Sequence, residues 1–481
     1  MSLALAEASF KGRLIGPYQR DGVSWMIERE RCTPSFGACQ GGFLCDEMGL
    51  GKTIEMIATM LGHRKRRTLI VAPKSVLTQW RDEVKRFSDF QVHIWEGVSR
   101  TTDTEFLRRF DVVITSYSLL TKNTPLHNIT WDRIVLDEGH EIRNPKAKSH
   151  IHIRALAARI RWIVTGTPIF NSVRDFIALC SILNIPKNMV QAFTRDIRQA
   201  LVLRRTKADV CEHNSRLELP PCDFEVVELD MNPEEKMLYK EVYDTGRETI
   251  NTIMKSDNPG RHAMLILECL LRARQVSIWP QLYLDGIAMK EERDPEVFQG
   301  SSKKMDTLME LIDTHPKEKT LVFSHFIGEM DEIHRRLHEK NVRIFRIDGS
   351  VTKDARDRAI EQFREVEDGC VFIIQIKAGG VGLNLQDATR VYITGPAWNP
   401  ATELQAIARA HRTGQVNKVT VRKLIYTGEE SSPSIEESIM QLQGHKSAVC
   451  AEVLNDPRLV TQLPKGKSQI TIQDIRKLFS G

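Results

Sequence analysis

The sequence predicts an α/β protein with two parallel-sheet lobes and helical insertions between them. Three observations carry this: β-branched runs recur in both halves, helical patterns lie between the runs, and a middle stretch is nearly free of them. The first-half runs are Thr68-Leu-Ile-Val-Ala72, Val112-Val-Ile-Thr115, Arg133-Ile-Val-Leu136 and Trp162-Ile-Val-Thr165. Those of the second half are Thr320-Leu-Val-Phe-Ser324, Ile344-Phe-Arg-Ile347, Val371-Phe-Ile-Ile-Gln-Ile376 and Val391-Tyr-Ile-Thr394. Apolar runs of this length fit strands covered on both faces, as in a parallel sheet. After Thr53, Ile54, Ile57, Ala58 and Leu61 fall at the i, i+3, i+4, i+7 spacing of an amphipathic helix. Alternating strands and helices give an α/β class, and two such sets give two lobes. The stretch 171–300 is rich in Leu, Met, Glu, Arg and Lys, with a loop signal at Asn258-Pro-Gly260, and predicts helices. The boundaries drawn are a first lobe over 1–170, helical insertions and linker over 171–300, a second lobe over 301–445, and a C-terminal brace over 446–481 with a helix at Ile470–Phe479.

Composition sets the limits of this reading. A chain of 481 residues fits two or three domains. Its hydrophobic share of 41% and charged share of 27% suit a well-cored globular protein. A net charge of +5 permits a basic groove without requiring one. No apolar stretch approaches the roughly 18 residues of a membrane span, so no membrane partner is expected. The start, Met1-Ser-Leu-Ala-Leu-Ala-Glu7, does not have the pattern of a secretory leader. The nine cysteines include no C-x-x-C pair, which predicts neither a zinc module nor a disulfide framework and fits a reducing compartment.

Ligands of open parallel sheets bind at the carboxyl ends of the strands, where this chain places its polar clusters. Asp46-Glu-Met-Gly-Leu-Gly-Lys-Thr53 precedes the amphipathic helix. Gly49 and Gly51 let backbone N–H groups wrap a phosphate. Lys52 can reach the β- and γ-phosphates, and the Thr53 hydroxyl can ligate Mg²⁺. The usual phosphate loop begins with glycine, and Asp46 stands in its place. The minority alternative for the segment alone is a glycine-rich turn with a chance Lys-Thr.

Asp137-Glu-Gly-His140 follows the run Ile134-Val-Leu136. Asp137 can hold Mg²⁺ and Glu138 can orient or deprotonate an attacking water, although an isolated Asp-Glu pair also describes a surface turn. Thr165-Gly-Thr-Pro168 closes another strand and is read as a coupling element. In Gln405-Ala-Ile-Ala-Arg409-Ala-His-Arg412-Thr-Gly-Gln415, the spacing puts Gln405, Arg409 and Arg412 on one helical face. Two guanidinium groups there suit a transferring phosphoryl group; on composition alone the pattern is a solvated basic face. Lys377-Ala-Gly-Gly-Val-Gly-Leu-Asn384 is a glycine-rich turn able to approach a phosphate of ATP or DNA. His63-Arg-Lys-Arg-Arg67 fits a solvated helix end.

Together these motifs resemble the Swi/Snf-type ATPases of helicase superfamily two, over residues of about 14 to 480. Gly16-Pro-Tyr-Gln19 with Gly22, Val23 and Trp25 is similar to that family's adenine-contacting segment, and Asp46–Thr53 to its acidic variant of the phosphate loop. Val71–Trp80, Thr115-Ser-Tyr117, Thr165–Pro168, Leu203-Arg-Arg-Thr-Lys207, Phe323–Phe326, Asp348-Gly-Ser350, Lys377–Asn384, Trp398-Asn-Pro400 and Gln405–Gln415 follow in the family's order. The DEGH spelling resembles the damage-tolerance branch that includes the helicase-like transcription factor. That branch carries a RING finger and an N-terminal accessory domain, neither of which is expected here. The chain reads as a bare motor of the kind found in microbes and large DNA viruses.

The resemblance implies RecA-like lobes and a DNA-dependent ATPase that translocates along duplex DNA without regard to sequence, remodelling protein–DNA complexes, branched DNA or nucleosomes. ATP and Mg²⁺ are implied as ligands. Lys52, Asp137, Glu138, Arg409 and Arg412 are the expected catalytic groups, with Gln19, Gly49, Gly51, Lys52, Thr53 and Gln405 binding nucleotide and Thr53 and Asp137 binding the metal. Lys74, Ser75, Thr115, Ser116, Ser324, His325, Lys377 and Trp398 are the expected DNA contacts. Activity is expected inside the cell, in the nucleus of a eukaryote or the replication compartment of a virus. A strand-separating helicase and a DNA-binding scaffold derived from a dead motor are the alternatives.

Overall fold

A computed structural model describes residues 2–14, 16–34, 36–37, 39–166, 173–211, 220–255, 262–379, 383–412, 414–428 and 433–454. The chain divides into two compact units, the first formed by residues up to 218 together with 449–457, the second by 219–448.

The first unit is built on seven strands: β1 (Gln40–Leu44), β2 (Thr68–Ala72), β3 (Val92–Ile94), β4 (Val112–Ser116), β5 (Trp131–Asp137), β6 (Ala158–Val164) and β7 (Val202–Leu203). They lie in the order β3-β4-β2-β5-β6-β1-β7, and every pair is parallel. β2 and β4 are buried along their whole length, as their continuous apolar spelling requires. Phe43, Leu69, Val71, Val113, Trp131, Leu136 and Phe176 join one core around this sheet.

The second unit has six strands: β8 (Cys222–Leu229), β9 (Lys319–Ser324), β10 (Ile344–Ile347), β11 (Cys370–Gln375), β12 (Arg390–Ile393) and β13 (Val419–Tyr426). Their order is β10-β11-β9-β12-β13-β8, again entirely parallel. One face packs Phe323, Phe345, Phe363 and Phe372. The other packs Met305, Met330, Ile333 and Tyr426.

Each of the eight runs read from the sequence falls on a strand, with Thr165, Ile376 and Thr394 lying just past the strand ends. The middle of the chain differs from its expectation. It holds helices at Val173–Ile182, Pro233–Met254, Ala263–Ile278 and Pro280–Glu291, but it also gives one edge strand to each sheet. β7 pairs with β1, and β8 pairs with β13 along eight residues. β8 was hidden because, as an edge strand, it leaves much of Cys-Asp-Phe-Glu-Val-Val-Glu-Leu exposed and charged. β1 was hidden by two glycines. Gly41 has φ 108°, and a side chain there would press on the Arg161 carbonyl of the neighbouring strand. The Asn258–Gly260 loop and the Ile470–Phe479 helix lie outside the described residues. Among those residues, no helix is long and apolar enough to cross a membrane, and no cluster of His, Cys, Asp or Glu could hold a metal on its own.

Candidate active site

The phosphate loop leaves β1 and ends at Gly51, which caps the helix Lys52–Gly62. Gly49 and Gly51 have φ of 90° and 85°, the left-handed region in which glycine carries no steric cost. A Cβ at Gly51 would also come within 2.5 Å of Gln19 Nε2. The loop is held from the helix Pro17–Arg31. Tyr18 donates its hydroxyl to Leu50 O at 2.9 Å, and Gln19 donates its amide to the same oxygen at 3.2 Å. Lys52 lies in the loop's own curve, donating to the carbonyls of Asp46 (2.8 Å) and Glu47 (3.2 Å). Thr53 follows in the first turn of the helix.

Asp46, in the place of the usual glycine, is fully buried. Its carboxylate accepts from the Arg205 backbone N–H at 2.8 Å, from Arg205 Nε at 3.0 Å, and from Arg205 Nη2. The same guanidinium donates to Glu55 at 2.7 and 2.9 Å and to the Tyr18 carbonyl. Burial, reinforced by Asp46 and opposed by Arg205, holds the Glu55 carboxyl well above the usual carboxylate range.

The acidic pair stands at the end of β5. Asp137 accepts from Trp80 Nε1 at 2.7 Å and from the Glu138 N–H at 3.0 Å, while Tyr117 donates to its carbonyl at 2.6 Å. Burial first, then the charge of Glu138, pushes the Asp137 carboxyl up to about 6, with Lys52 acting in the opposite direction. Glu138 has φ 49°, a left-handed conformation uncommon for a residue with a side chain. That turn brings its carboxylate to His140 Nδ1 (3.3 Å) and to the Thr165 hydroxyl (3.4 Å). His140 and Thr165 are themselves 3.2 Å apart. A Cβ on Gly166 would meet Lys52 Nζ at 2.8 Å, so the end of β6 passes directly beside the loop lysine. Lys52, Asp137, Glu138 and Thr165 therefore gather at the carboxyl end of one sheet. The residues present fit a magnesium ion: Thr53 and Asp137 offer hard oxygen donors, and the Glu138 carboxylate stands next to Asp137 at the same strand end.

In the second unit, the expected helical face is not formed. The helix Pro400–Ile407 carries Gln405 but ends before both arginines. Arg409 and Arg412 lie in turns closed by Arg409 N to Ala406 O (3.1 Å) and Arg412 N to Ala410 O (3.1 Å). Tertiary contacts end the helix. Leu385 N bonds the Arg409 carbonyl, His411 Nε2 bonds Pro220 O, and Gln415 Nε2 donates to Gln386 O, Ala388 O and Ala410 O. Arg409 is 6% exposed and Arg412 is half-buried. The helix start is fixed by Glu403, which accepts from Ala397 N and Lys423 Nζ.

The expected DNA contacts fall into two sets. Lys74, Ser75 and Lys377 are exposed. Thr115, Ser116 and Ser324 are buried, which differs from a surface role for their side chains. Thr115 donates its hydroxyl to Trp95 O, and Ser116 donates to Glu96, which also pairs with Lys74 at 3.2 Å. His325 and Trp398 form an inner cluster with Arg274, whose guanidinium lies 5.2 Å over the Trp398 ring and 3.3 Å from His325 Nδ1.

Sequence reasoning missed two working residues, Arg205 and Trp80, and the acidic neighbour Glu96. The first two lie in motifs that were quoted without a role. Their signal was the mismatch at Asp46 and an indole following a strand of the same sheet, both of which need three-dimensional neighbours to interpret.

The chain matches the SNF2-related domain family over residues 18–282 and the helicase conserved C-terminal domain over 303–414. It is 33% identical to a putative ATP-dependent helicase/translocase, YwqA, of Bacillus subtilis, covering 98% of this chain and 51% of that protein. It is 27% identical to the helicase-like transcription factor of Mus musculus, covering 87% and 53%. The chain thus spans about half the length of these curated relatives. The Sulfolobus solfataricus SWI2/SNF2 ATPase core in complex with dsDNA is 26% identical, with 98% and 97% covered and a TM-score of 0.42. With its phosphate loop, acidic pair and domain matches in order along the sequence, the chain belongs to the SNF2-related family.

Proposed function

We propose that the protein is a DNA-dependent ATPase that couples ATP hydrolysis to movement along duplex DNA, displacing bound proteins or remodelling branched DNA. The observation that carries this reading is the convergence of Lys52, Asp137 and Glu138 at one sheet end. Loop N–H groups and the helix N-terminus bind the phosphates, and Lys52 exchanges its two carbonyl partners for phosphate oxygens. Thr53 and Asp137 would hold magnesium, which would supply positive charge to offset that of the phosphates. Glu138, oriented by His140 and Thr165, positions the attacking water and takes up its proton. Arg409 and Arg412 supply positive charge to the transferring phosphoryl group. The exposed Lys74, Ser75 and Lys377 meet DNA through phosphate, which is compatible with any sequence. The place of work follows the DNA, in the nucleus of a eukaryote or the replication compartment of a virus, with nucleosomes among the possible obstacles.

ATPase rate measured against no DNA, single strands, duplex and forked DNA tests this. Turnover is expected to be low without DNA, to rise strongly with long duplex of any sequence, and to lose that stimulation as salt is raised. A third strand should be displaced from a triplex, while a simple tailed duplex should stay paired. Efficient release of a strand from the tailed duplex would instead identify a strand-separating helicase, and DNA-independent turnover would remove the motor reading altogether.

A further inference from the structure

The buried cluster around Arg205 holds the phosphate loop, and Arg205 itself has no part in the proposed reaction. Both ends of the loop converge on it. At the start, Asp46 gives its carboxylate to Arg205 and its carbonyl to Lys52 Nζ. At the end, Leu50 O is held by Tyr18 and Gln19, and the Tyr18 carbonyl accepts from Arg205 Nη1. The third partner, Glu55, sits in the first turn of the helix that follows. Gly22 belongs to the same construction: a Cβ there would press on the Glu55 carboxylate and lie 2.8 Å from both Arg205 terminal nitrogens. The Arg205 guanidinium also lies 5.2 Å over the Tyr18 ring.

From this geometry we propose that Arg205 is a positioning residue for nucleotide binding, and that Asp46 occupies the first-glycine position in order to receive it. An ordinary phosphate loop gets its opening turn from glycine's backbone freedom. Here the turn is set from outside by a planar fork with fixed donor directions that bridges Asp46, Glu55 and the Tyr18 carbonyl. A lysine in the same place keeps the charge but offers a single ammonium point. The effect on the reaction passes through Lys52, because the carbonyl that Lys52 rests on belongs to the residue that Arg205 holds.

This inference rests on reading the loop as the ATP site, and the experiment separates the two. Mant-ATP affinity is measured by fluorescence for the parent, Arg205→Lys, Asp46→Asn, the double variant and Lys52→Ala. Thermal melting without nucleotide confirms that each is folded. Arg205→Lys should weaken nucleotide binding and raise KM about 10-fold, with kcat at saturation changed less than about 3-fold. Asp46→Asn, which keeps an acceptor for the Arg205 N–H, should have a smaller effect. The double variant should be no worse than Arg205→Lys alone, because the two residues act through one contact. A folded Arg205→Lys with parental affinity, or strictly additive losses in the double variant, overturns the clamp. If Lys52→Ala also binds nucleotide like the parent, the loop is not the ATP site and the underlying reading fails instead. Should Arg205→Lys not fold, Asp46→Asn against Asp46→Glu decides. The longer acid displaces the fork and should cost more affinity than the amide, and equal affinities overturn the proposal.

Discussion

The Asp46–Thr53 loop and the Gln405–Gln415 segment are both short, motif-like and polar, and they are held in opposite ways. The loop's geometry comes from its surroundings, with Tyr18, Gln19 and Arg205 fastening it at both ends while glycine supplies the bends. The arginine segment starts as a regular helix, and surrounding contacts then end it at Ile407, so that Arg409 and Arg412 lie in turns. A helix fixes the relative direction of residues three and four apart, whereas a turn does not. The loop's bends and fastenings therefore all lie within one unit. The arginines offer charge whose aim depends on Gln415 and on the carbonyl contacts of the turn.

The largest expected effect breaks the loop side of this comparison. Lys52→Ala or Glu138→Gln should remove ATP hydrolysis to the limit of a phosphate-release assay, while folding and duplex binding persist. Glu138→Gln should still bind ATP, since it loses the base and keeps the loop. Near-parental turnover in either variant would falsify the assignment of the site.

The arginine side should respond less completely and more selectively. Arg412→Ala is expected to lower DNA-stimulated turnover by roughly 100-fold or more with little change in ATP affinity, within or just below the usual range for an arginine finger. Arg409 is nearly buried, so Arg409→Ala should also lower the melting temperature, and by more than Arg412→Ala does. If Arg412→Ala weakens only DNA binding, the segment is a phosphate-backbone contact and the comparison changes meaning.

What could be read in advance follows the same division. The β-branched runs gave strands because burial on both faces leaves no other residue types, and the glycine-lysine and Asp-Glu spellings stood where parallel sheets bind ligands. β1 was illegible because Gly41 serves a close approach to Arg161 that no propensity encodes. The early end of the helix at Ile407 was illegible because its partners, Leu385 and Pro220, lie tens to hundreds of residues away. The burial of Thr115 and Ser324 was missed for a related reason, since a hydroxyl at a strand end looks the same whether it faces solvent or the next turn. Asp46 was a departure that only the family resemblance accommodated, and Arg205, 159 residues on, supplies its physical partner.

The smallest expected effect lies in the second unit, behind Trp398. His325 Nε2 donates to Gly395 O at 2.7 Å, and its Nδ1 faces Arg274 Nη2 at 3.3 Å. With one ring nitrogen already donating and the other receiving from a guanidinium, there is no place for a second proton. Burial first, then the Arg274 charge, pushes the His325 imidazole down to about 3. In the unfolded chain a histidine titrates near 6.5. As pH falls below about 6.5, the unfolded state therefore binds a proton that the folded state refuses, and stability present at neutral pH is progressively lost. One such group accounts for at most about 1.4 kcal/mol per pH unit. His127 and His150 are also shifted below their usual range and contribute in the same direction. The informative quantity is thus the difference in slope between the parent and His325→Gln, whose amide can both donate to Gly395 and accept from Arg274 without titrating. Melting temperatures taken from pH 7.5 to 5 should fall less steeply in the variant. Identical slopes would mean that His325 can take up its proton in the folded state, and that the inner cluster around Trp398 opens to water far more readily than the loop in the first unit.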